Sequence, residues 1–252
     1  MILKFEGFTE QGSRDGVNQD AIGMFSDGDQ GLFMVSDGMG GHADGERASS
    51  CLQTACRQWW EKHSRESDPG FLGCVEELKT MLALTNRKIL EETEPGSICG
   101  ATVVLLFVHG TDYALLWSGD SRCYMGKKGF FKTTVKQLTR DDTWENQGAL
   151  KSEMSLEELR RHRNYGKLVR AVGVSKEFLC STYTGILEKN MLLAICSDGV
   201  YKYAGQDVLE KVIKDAIKSP SMKEGLKELR VTLYKNGAPD NMSCIFVRGS
   251  FA

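Results

Sequence analysis

Five aspartates occupy the same kind of position in this sequence. Each lies beside an apolar stretch of strand length, with glycine or another turn-forming residue close by. Two of these stretches are nearly identical, since the chain reads VSDG around Asp37 and CSDG around Asp198. A single Ser-Asp-Gly after a strand is most often only a turn, but five repetitions favour a function. The five residues are Asp20, Asp37, Asp120, Asp198 and Asp240.

Converging carboxylates repel one another, and their pKa values rise unless a cation neutralises them. Carboxylate, carbonyl and water ligands without a cluster of cysteine or histidine suit Mg²⁺ or Mn²⁺ rather than Zn²⁺. Gly38 follows Asp37, and a residue without Cβ lets its backbone carbonyl approach an ion. Two ions about 3.5–4 Å apart would orient a phosphate and generate hydroxide near neutral pH. We therefore predict that Asp37 bridges two ions.

One competing signature is the spacing between Cys51 and Arg57, which matches the C-x5-R of cysteine-dependent phosphatases. The residues between them would have to form a loop around phosphate, but here they lie within a helical stripe without glycine. We therefore expect Cys51 to pack in the core. His42 lies in the glycine-rich segment, and its sequence context fits a proton donor and an ordinary loop residue equally well.

The elements that must position the aspartates come in blocks, with strands grouped and helices in adjacent pairs. Alternating βαβ units are absent from the pattern, which disfavours a doubly wound sheet and favours a sandwich of paired helices over paired sheets. Capping boxes are predicted at Ser155 with Glu158 and at Ser221 with Glu224. The predicted helices are 44–62, 71–92, 156–163, 205–218 and 221–235. The predicted strands are 2–8, 32–36, 102–108, 113–120, 178–185, 191–198 and 241–247, with a hairpin around Gly126–Gly129.

The composition limits which partners the protein can be expected to bind and where in the cell it can be expected to lie. The 252 residues carry a net charge of −2, which argues against a protein that lives on nucleic acid or anionic lipid. The eight cysteines include no C-x-x-C pair, so buried reduced thiols are expected. No apolar run approaches the roughly 20 residues of a membrane span, and the N-terminus does not read as a signal peptide. We expect a soluble, cytoplasmic protein.

The motifs around these aspartates resemble, in order and over nearly the whole chain, those of the metal-dependent protein serine/threonine phosphatases of type 2C in their compact bacterial form. "DGMGGH" followed by "SDG" and "DN" is highly specific. The matching segments are NQDA (18–21), VSDGMGGHADGERAS (35–49), GATVV (100–104), SGDSRCY (118–124), QLTRDD (137–142), LVRAVG (168–173), CSDGVYKY (196–203) and PDNMS (239–243).

This resemblance implies an α+β fold, a four-layer αββα sandwich in which two mainly antiparallel sheets are flanked by pairs of helices. It implies a single phosphatase domain over 1–252 with a flap at about 143–166. The expected activity is hydrolysis of phosphoserine and phosphothreonine without a covalent intermediate. The expected partners are phosphorylated substrates of a serine/threonine kinase, and the expected state is a monomer.

The resemblance also implies roles for the five aspartates around two Mn²⁺ or Mg²⁺ ions. Asp37 would bridge both ions, and the Gly38 carbonyl would bind one of them. Asp198 and Asp240 would bind the other ion. Asp20 would hold waters on the metals. Asp120 would serve a third, weaker ion near Asp198.

Four positions depart from the family's pattern or leave a role unfilled. The arginine that anchors substrate phosphate would stand where Asp15 is, and Arg14 is one residue early. A shift of one residue along a strand turns a side chain to the other face, so either a local bulge restores Arg14 or the anchor is lost. Gln19 replaces a glutamate, and Asp142 replaces a histidine. Met39 stands where some eukaryotic members have a general acid.

Two other functions stay open at this point. A non-catalytic module that binds phosphoproteins would keep the fold, and the Asp15 departure motivates this reading. The intact Asp37, Asp198 and Asp240 argue against it, since such a module has no need of metal ligands. A phosphatase for a small phosphorylated metabolite is the third alternative.

Overall fold

The computed structural model describes residues 1–41, 43–65, 67–148 and 154–250. The strands are β1 (Ile2–Glu10), β2 (Asp20–Asp27), β3 (Gln30–Gly40), β4 (Cys99–Ala101), β5 (Val103–His109), β6 (Asp112–Ser118), β7 (Arg122–Lys128), β8 (Thr133–Gln137), β9 (Ser181–Ile186), β10 (Met191–Cys196) and β11 (Met242–Ser250). The helices are α1 (Ala43–His63), α2 (Gly70–Glu92), α3 (Leu156–Arg161), α4 (Asp198–Ala204), α5 (Gln206–Lys218) and α6 (Lys223–Lys235), with a 3-10 turn at Trp144–Asn146.

The strands form two sheets that pack face to face. The first sheet has the order β1-β11-β10-β7-β8, and the second has the order β2-β3-β5-β6-β9, with β4 paired to β3. Every pairing among the described strands is antiparallel. The chain moves between the sheets, since β1 pairs with β11 while β2 and β3 belong to the other sheet.

Strand β5 shows why the apolar run at 103–109 is continuous. Val104, Leu106 and Val108 point into the core between the two sheets. Val103 and Leu105 point to the opposite face, into the core beneath α1 and α2. Because successive side chains alternate between faces, a strand covered on both sides must be apolar at nearly every position.

Helices cover the outer face of each sheet. Leu52 of α1 and Leu78 of α2 lie in the core with β3 and β5. Val212 of α5 and Leu229 of α6 lie in the core with β10 and β11. The predicted four-layer αββα sandwich is therefore confirmed. None of the helices in the described part of the chain has the length and apolarity needed to cross a membrane.

Several predicted boundaries and one predicted cap differ from the structure. β2 was not predicted as a strand, and residue 198 begins a helix instead of ending a strand. The box of Ser155 and Glu158 is confirmed, with both reciprocal hydrogen bonds present. The box at Ser221 is wrong, because α6 begins at Lys223 and has Met222 as its N-cap. Ser221 Oγ instead accepts a bond from Lys223 N at 3.2 Å.

The segment predicted as a flap, 143–166, is described except for residues 149–153. It contains the 3-10 turn and α3. The rings of Trp144 and His162 stack with centroids 4.0 Å apart, which ties the turn to the residue after α3. Thr143 pairs with Leu168 at the base of the segment. Its role as a flap stays a prediction.

Candidate metal centre

Asp20 and Asp37 face each other across the β2–β3 pair, because the register of these strands places Asp20 opposite Asp37. Directly opposed residues of antiparallel strands have Cα atoms about 4.5–5.5 Å apart. Asp20 is buried, with 7% of its surface exposed, whereas Asp37 keeps some contact with solvent. The strand pairing alone therefore brings two carboxylates together at one end of the second sheet.

The other aspartates reach the same place from β6, β10 and β11. Burial, together with the charges of Asp198 and Asp240, raises the pKa of Asp20 to about 7, against the opposing effect of hydrogen bonds from Ser243 and Ser197. Although Asp37 as a whole residue keeps some contact with solvent, burial of its carboxyl raises the pKa well above the usual range. The charges of Asp20, Asp198 and Asp120 raise this pKa further. All five predicted aspartates thus lie within electrostatic reach of at least one other member.

Two carboxylate oxygens in this cluster are bare. Asp20 Oδ1 and Asp198 Oδ1 are buried and accept no hydrogen bond from any described residue. Their second oxygens are used, since Ser197 Oγ donates to Asp20 Oδ2 at 2.8 Å and Lys202 Nζ donates to Asp198 Oδ2 at 2.5 Å. A buried oxygen without a donor costs about 1–3 kcal/mol. Bare oxygens on clustered carboxylates are the donor set of a hard divalent cation, so the residues fit Mn²⁺ or Mg²⁺.

Gly38 lies where three backbone segments meet. A Cβ on this residue would lie 2.1 Å from the carbonyl oxygen of Gly45 in α1 and 2.7 Å from that of Gln19 before β2. Gly38 N donates to the Gln19 carbonyl at 3.1 Å. The glycine-rich sequence after Asp37 therefore lets α1 begin directly against the acidic cluster.

Thr102 fixes the backbone of Asp37. Its N–H donates to the Asp37 carbonyl at 2.8 Å, and its Oγ1 accepts from Asp37 N at 3.1 Å. The same Oγ1 lies 2.6 Å from Ser121 Oγ, next to Asp120. Sequence reasoning placed Thr102 within the GATVV motif but gave it no role.

Asn241 performs a similar task for the loop at 11–19. Its Oδ1 accepts from Gln19 N at 2.9 Å, and its Nδ2 donates to the Gln11 carbonyl at 2.9 Å. Since Asn241 precedes β11 directly, these bonds attach the loop that joins the two sheets to the start of β11. The PDNMS motif contained this residue, but only Asp240 was singled out there.

Arg14 lies in this loop, and its Nη1 donates to Asp240 Oδ1 at 2.9 Å. The argument from strand alternation does not apply to it, because residues 11–19 belong to neither β1 nor β2. Gln11 Nε2 holds the loop through the carbonyls of Arg14 and Gly16, at 2.9 and 2.7 Å. The guanidinium of Arg14, about half exposed, thus points at the edge of the acidic cluster.

Asp120 faces a lysine. Lys202 Nζ lies 3.6 Å from Asp120 Oδ2 and also contacts Asp198, as given above. Tyr201 donates its hydroxyl to the Asp120 carbonyl at 3.2 Å. Burial and the charge of Asp198 raise the pKa of Asp120 to about 6, and Lys202 opposes the increase. An ammonium therefore lies where the resemblance implied a third metal ion.

Asp142, which departs from the family's pattern, fastens the turn before Asp120. Its Oδ2 accepts from Gly119 N at 3.1 Å, and its Oδ1 lies 3.4 Å from Arg170 Nη1. His42 lies outside the described residues. Cys51 lies within α1 as expected, and burial raises the pKa of its thiol, which leaves it a poor nucleophile.

The sequence of this chain is similar to that of known phosphatases. The family model described as protein phosphatase 2C matches residues 9–234. The serine/threonine phosphatase stp of Listeria welshimeri is 26% identical over 251 residues, which cover 95% of this chain and 93% of the relative.

Solved structures of phosphatases have the same fold as this chain. PppA of Pseudomonas aeruginosa superposes with a TM-score of 0.79 at 27% identity, covering 98% of both chains. The catalytic domain of the phosphatase PstP, in complex with two manganese ions, has a TM-score of 0.77 at 23% identity, again covering 98% of both chains, which shows a common fold. This chain belongs to the protein phosphatase 2C family and is a protein serine/threonine phosphatase.

Proposed function

We propose that this enzyme removes phosphate from phosphoserine and phosphothreonine in proteins with the help of two Mn²⁺ or Mg²⁺ ions held by the acidic cluster. The observation that carries the proposal is the pair of bare, buried oxygens on Asp20 and Asp198 beside Asp37. The two manganese ions in the PstP structure support the same number of ions here.

The proposed ligands are those that the family resemblance implies. Asp37 would bridge both ions, the Gly38 carbonyl would bind one, and Asp198 with Asp240 would bind the other. Asp20 would hold waters on the metals, and its buried oxygen without a donor among the described residues supports this role. When bound, such ions polarise a phosphate ester and generate hydroxide near neutral pH. A third ion is left out of this proposal, because Lys202 contacts both of its expected ligands.

The chain's own residues contribute orientation and charge. Arg14 is proposed to bind the substrate phosphate, since its guanidinium is accessible and already lies at the cluster. Thr102 and Asn241 hold the backbone on either side of the ligands. The carboxyls of Asp20 and Asp37 must lose their protons to bind cations, so we expect ion affinity to fall as the pH drops below about 7.

Further proposals concern the domain, the substrates and the location of the enzyme. The chain is proposed to act as one phosphatase domain, as a monomer, with 143–166 as a flap beside the site. Its substrates are proposed to be proteins phosphorylated by a serine/threonine kinase. A cytoplasmic location agrees with eight cysteines that are all free thiols.

The test is hydrolysis of p-nitrophenyl phosphate and of a phosphothreonine peptide by metal-stripped protein, with and without Mn²⁺. We expect release of phosphate from both substrates only when Mn²⁺ is present. Absence of metal-dependent turnover would overturn the proposal. Peptide binding without hydrolysis would point to a non-catalytic module, and turnover of the small ester alone would point to a metabolite phosphatase.

Replacing Arg14 with alanine should raise the KM for the phosphopeptide about tenfold with a smaller change in kcat, because charge-assisted bonds to phosphate contribute about 1.5–3 kcal/mol. Steady-state kinetics measures both parameters. Asp15→Ala is the matched control, since Asp15 is the exposed neighbour in the same loop. An unchanged KM in Arg14→Ala would remove Arg14 from the binding site.

A further inference from the structure

Lys202 closes one side of the acidic cluster. It lies four residues after Asp198 in α4, the spacing at which a lysine reaches back to a carboxylate one helical turn earlier. Its Nζ is 2.5 Å from Asp198 Oδ2 and 3.6 Å from Asp120 Oδ2. The two carboxylates are only 15% and 8% exposed, whereas the lysine side chain is 47% exposed. The ammonium therefore covers two nearly buried anions from the solvent side.

A third divalent ion would need these same two carboxylates. It would also have to enter a gap already held by a positive charge, and two cations a few ångströms apart repel each other strongly in a partly buried site. The distribution of bare oxygens agrees with this. Within the described residues, buried carboxylate oxygens without a donor occur on Asp20 and Asp198, and Asp120 has none.

We propose that the Lys202 ammonium takes the place of the third cation, so that this phosphatase operates with two ions. The inference rests on the proposed two-ion function. Lys202 acts as a positioning residue: it neutralises Asp120 and holds Asp198 Oδ2, which leaves Asp198 Oδ1 available for an ion. Because an amino group is part of the chain, its charge is present at any metal concentration.

The test counts Mn²⁺ ions bound to metal-stripped protein, by calorimetric titration and by the loss of the free-ion signal in electron paramagnetic resonance. Wild type should bind two ions, and Asp120→Asn should still bind two. Lys202→Met and Lys202→Ala should each gain one weaker ion. Lys202→Arg should remain at two because the positive charge is kept.

Lys214→Met is the matched control. Lys214 pairs with Glu210 at 2.8 Å with the same four-residue spacing, but on α5, away from the acidic cluster. It should bind the same number of ions as wild type. Thermal melting of each variant confirms that it is folded before the ions are counted.

The outcomes separate the two proposals. Three ions in wild type, falling to two in Asp120→Asn, would overturn the assignment of Lys202. So would two ions in both Lys202→Met and Lys202→Ala. In either case metal-dependent turnover by wild type would leave the proposed function standing. Wild type that binds no Mn²⁺ and shows no turnover would overturn the two proposals together.

Discussion

Replacing Asp37 with asparagine is expected to lower phosphatase turnover at least about 1,000-fold while making the metal-free protein more stable. The loss corresponds to about 4 kcal/mol of transition-state stabilisation, in the range that metal ions supply. Asparagine has nearly the same shape but carries no charge, so it cannot bridge two cations. Turnover of p-nitrophenyl phosphate at saturating Mn²⁺ measures the effect, and activity above a tenth of wild type would contradict it.

The stability gain follows from the sign of the pKa change. The pKa of Asp37 is higher in the folded protein than its unfolded value of 3.8, because of burial and of the charges of Asp20 and Asp198. Its contribution to stability is therefore fully present below about pH 4 and is lost as the pH rises toward the folded pKa. The metal-free wild type should lose stability over this interval relative to Asp37→Asn.

Thermal melting in chelator at a series of pH values from 4 to neutrality checks this difference. Added Mn²⁺ should stabilise wild type at neutral pH and leave Asp37→Asn nearly unchanged, because ligands that bind only the folded state stabilise it. Asp29→Asn is the control, since Asp29 is exposed in the turn at the far end of the same β2–β3 hairpin. Equal stabilisation of Asp37→Asn and wild type by Mn²⁺ would contradict the assignment of Asp37.

Replacing Gly38 with alanine should destabilise the protein by about 3 kcal/mol and weaken Mn²⁺ binding, even though the change adds one methyl group. The new Cβ would lie 2.1 Å from a backbone oxygen of Gly45, so α1 would have to move away from the cluster. Chemical unfolding and calorimetric titration with Mn²⁺ measure the two effects.

Gly41→Ala is the control for this variant. Gly41 lies in the same glycine-rich segment, but a Cβ there would meet no atom of the described structure within 4 Å. Its stability should stay within about 0.5 kcal/mol of wild type. If Gly38→Ala is as stable as Gly41→Ala, the backbone at the start of α1 can move without cost. That result would contradict the close contact at Gly38.

Sequence patterns predicted the layers of this fold better than its connections. Strands covered on both faces, such as β5, are continuously apolar, and their pattern is therefore hard to miss. β2 was not predicted because Gly23 interrupts its apolar residues and partly exposed positions follow. The contact between Lys202 and Asp198 is also hard to predict, because the apolar run before Asp198 indicates a strand that continues to residue 198. In a strand, residues four positions apart are too distant for their side chains to touch.

The position of Arg14 depends on geometry that residue types do not reveal. The loop at 11–19 turns at Gly12 and Gly16, both of which have positive φ. Bonds from Gln11 and Asn241 then fix its path. Because such bonds join residues far apart in the chain, no local pattern could predict them, whereas the convergence of the aspartates followed from their repeated position beside strands.

The pairing of β1 with β11, in which Ile2 lies opposite Ser250, makes assembly of the acidic cluster depend on residues far apart in the chain. Among the described strands β1 pairs only with β11, so β1 joins its sheet only when β11 is in place. Asp240 precedes β11, whereas Asp20 and Asp37 lie on β2 and β3. Because contacts between distant parts of a chain form slowly, we expect the protein to gain its affinity for Mn²⁺ late in refolding.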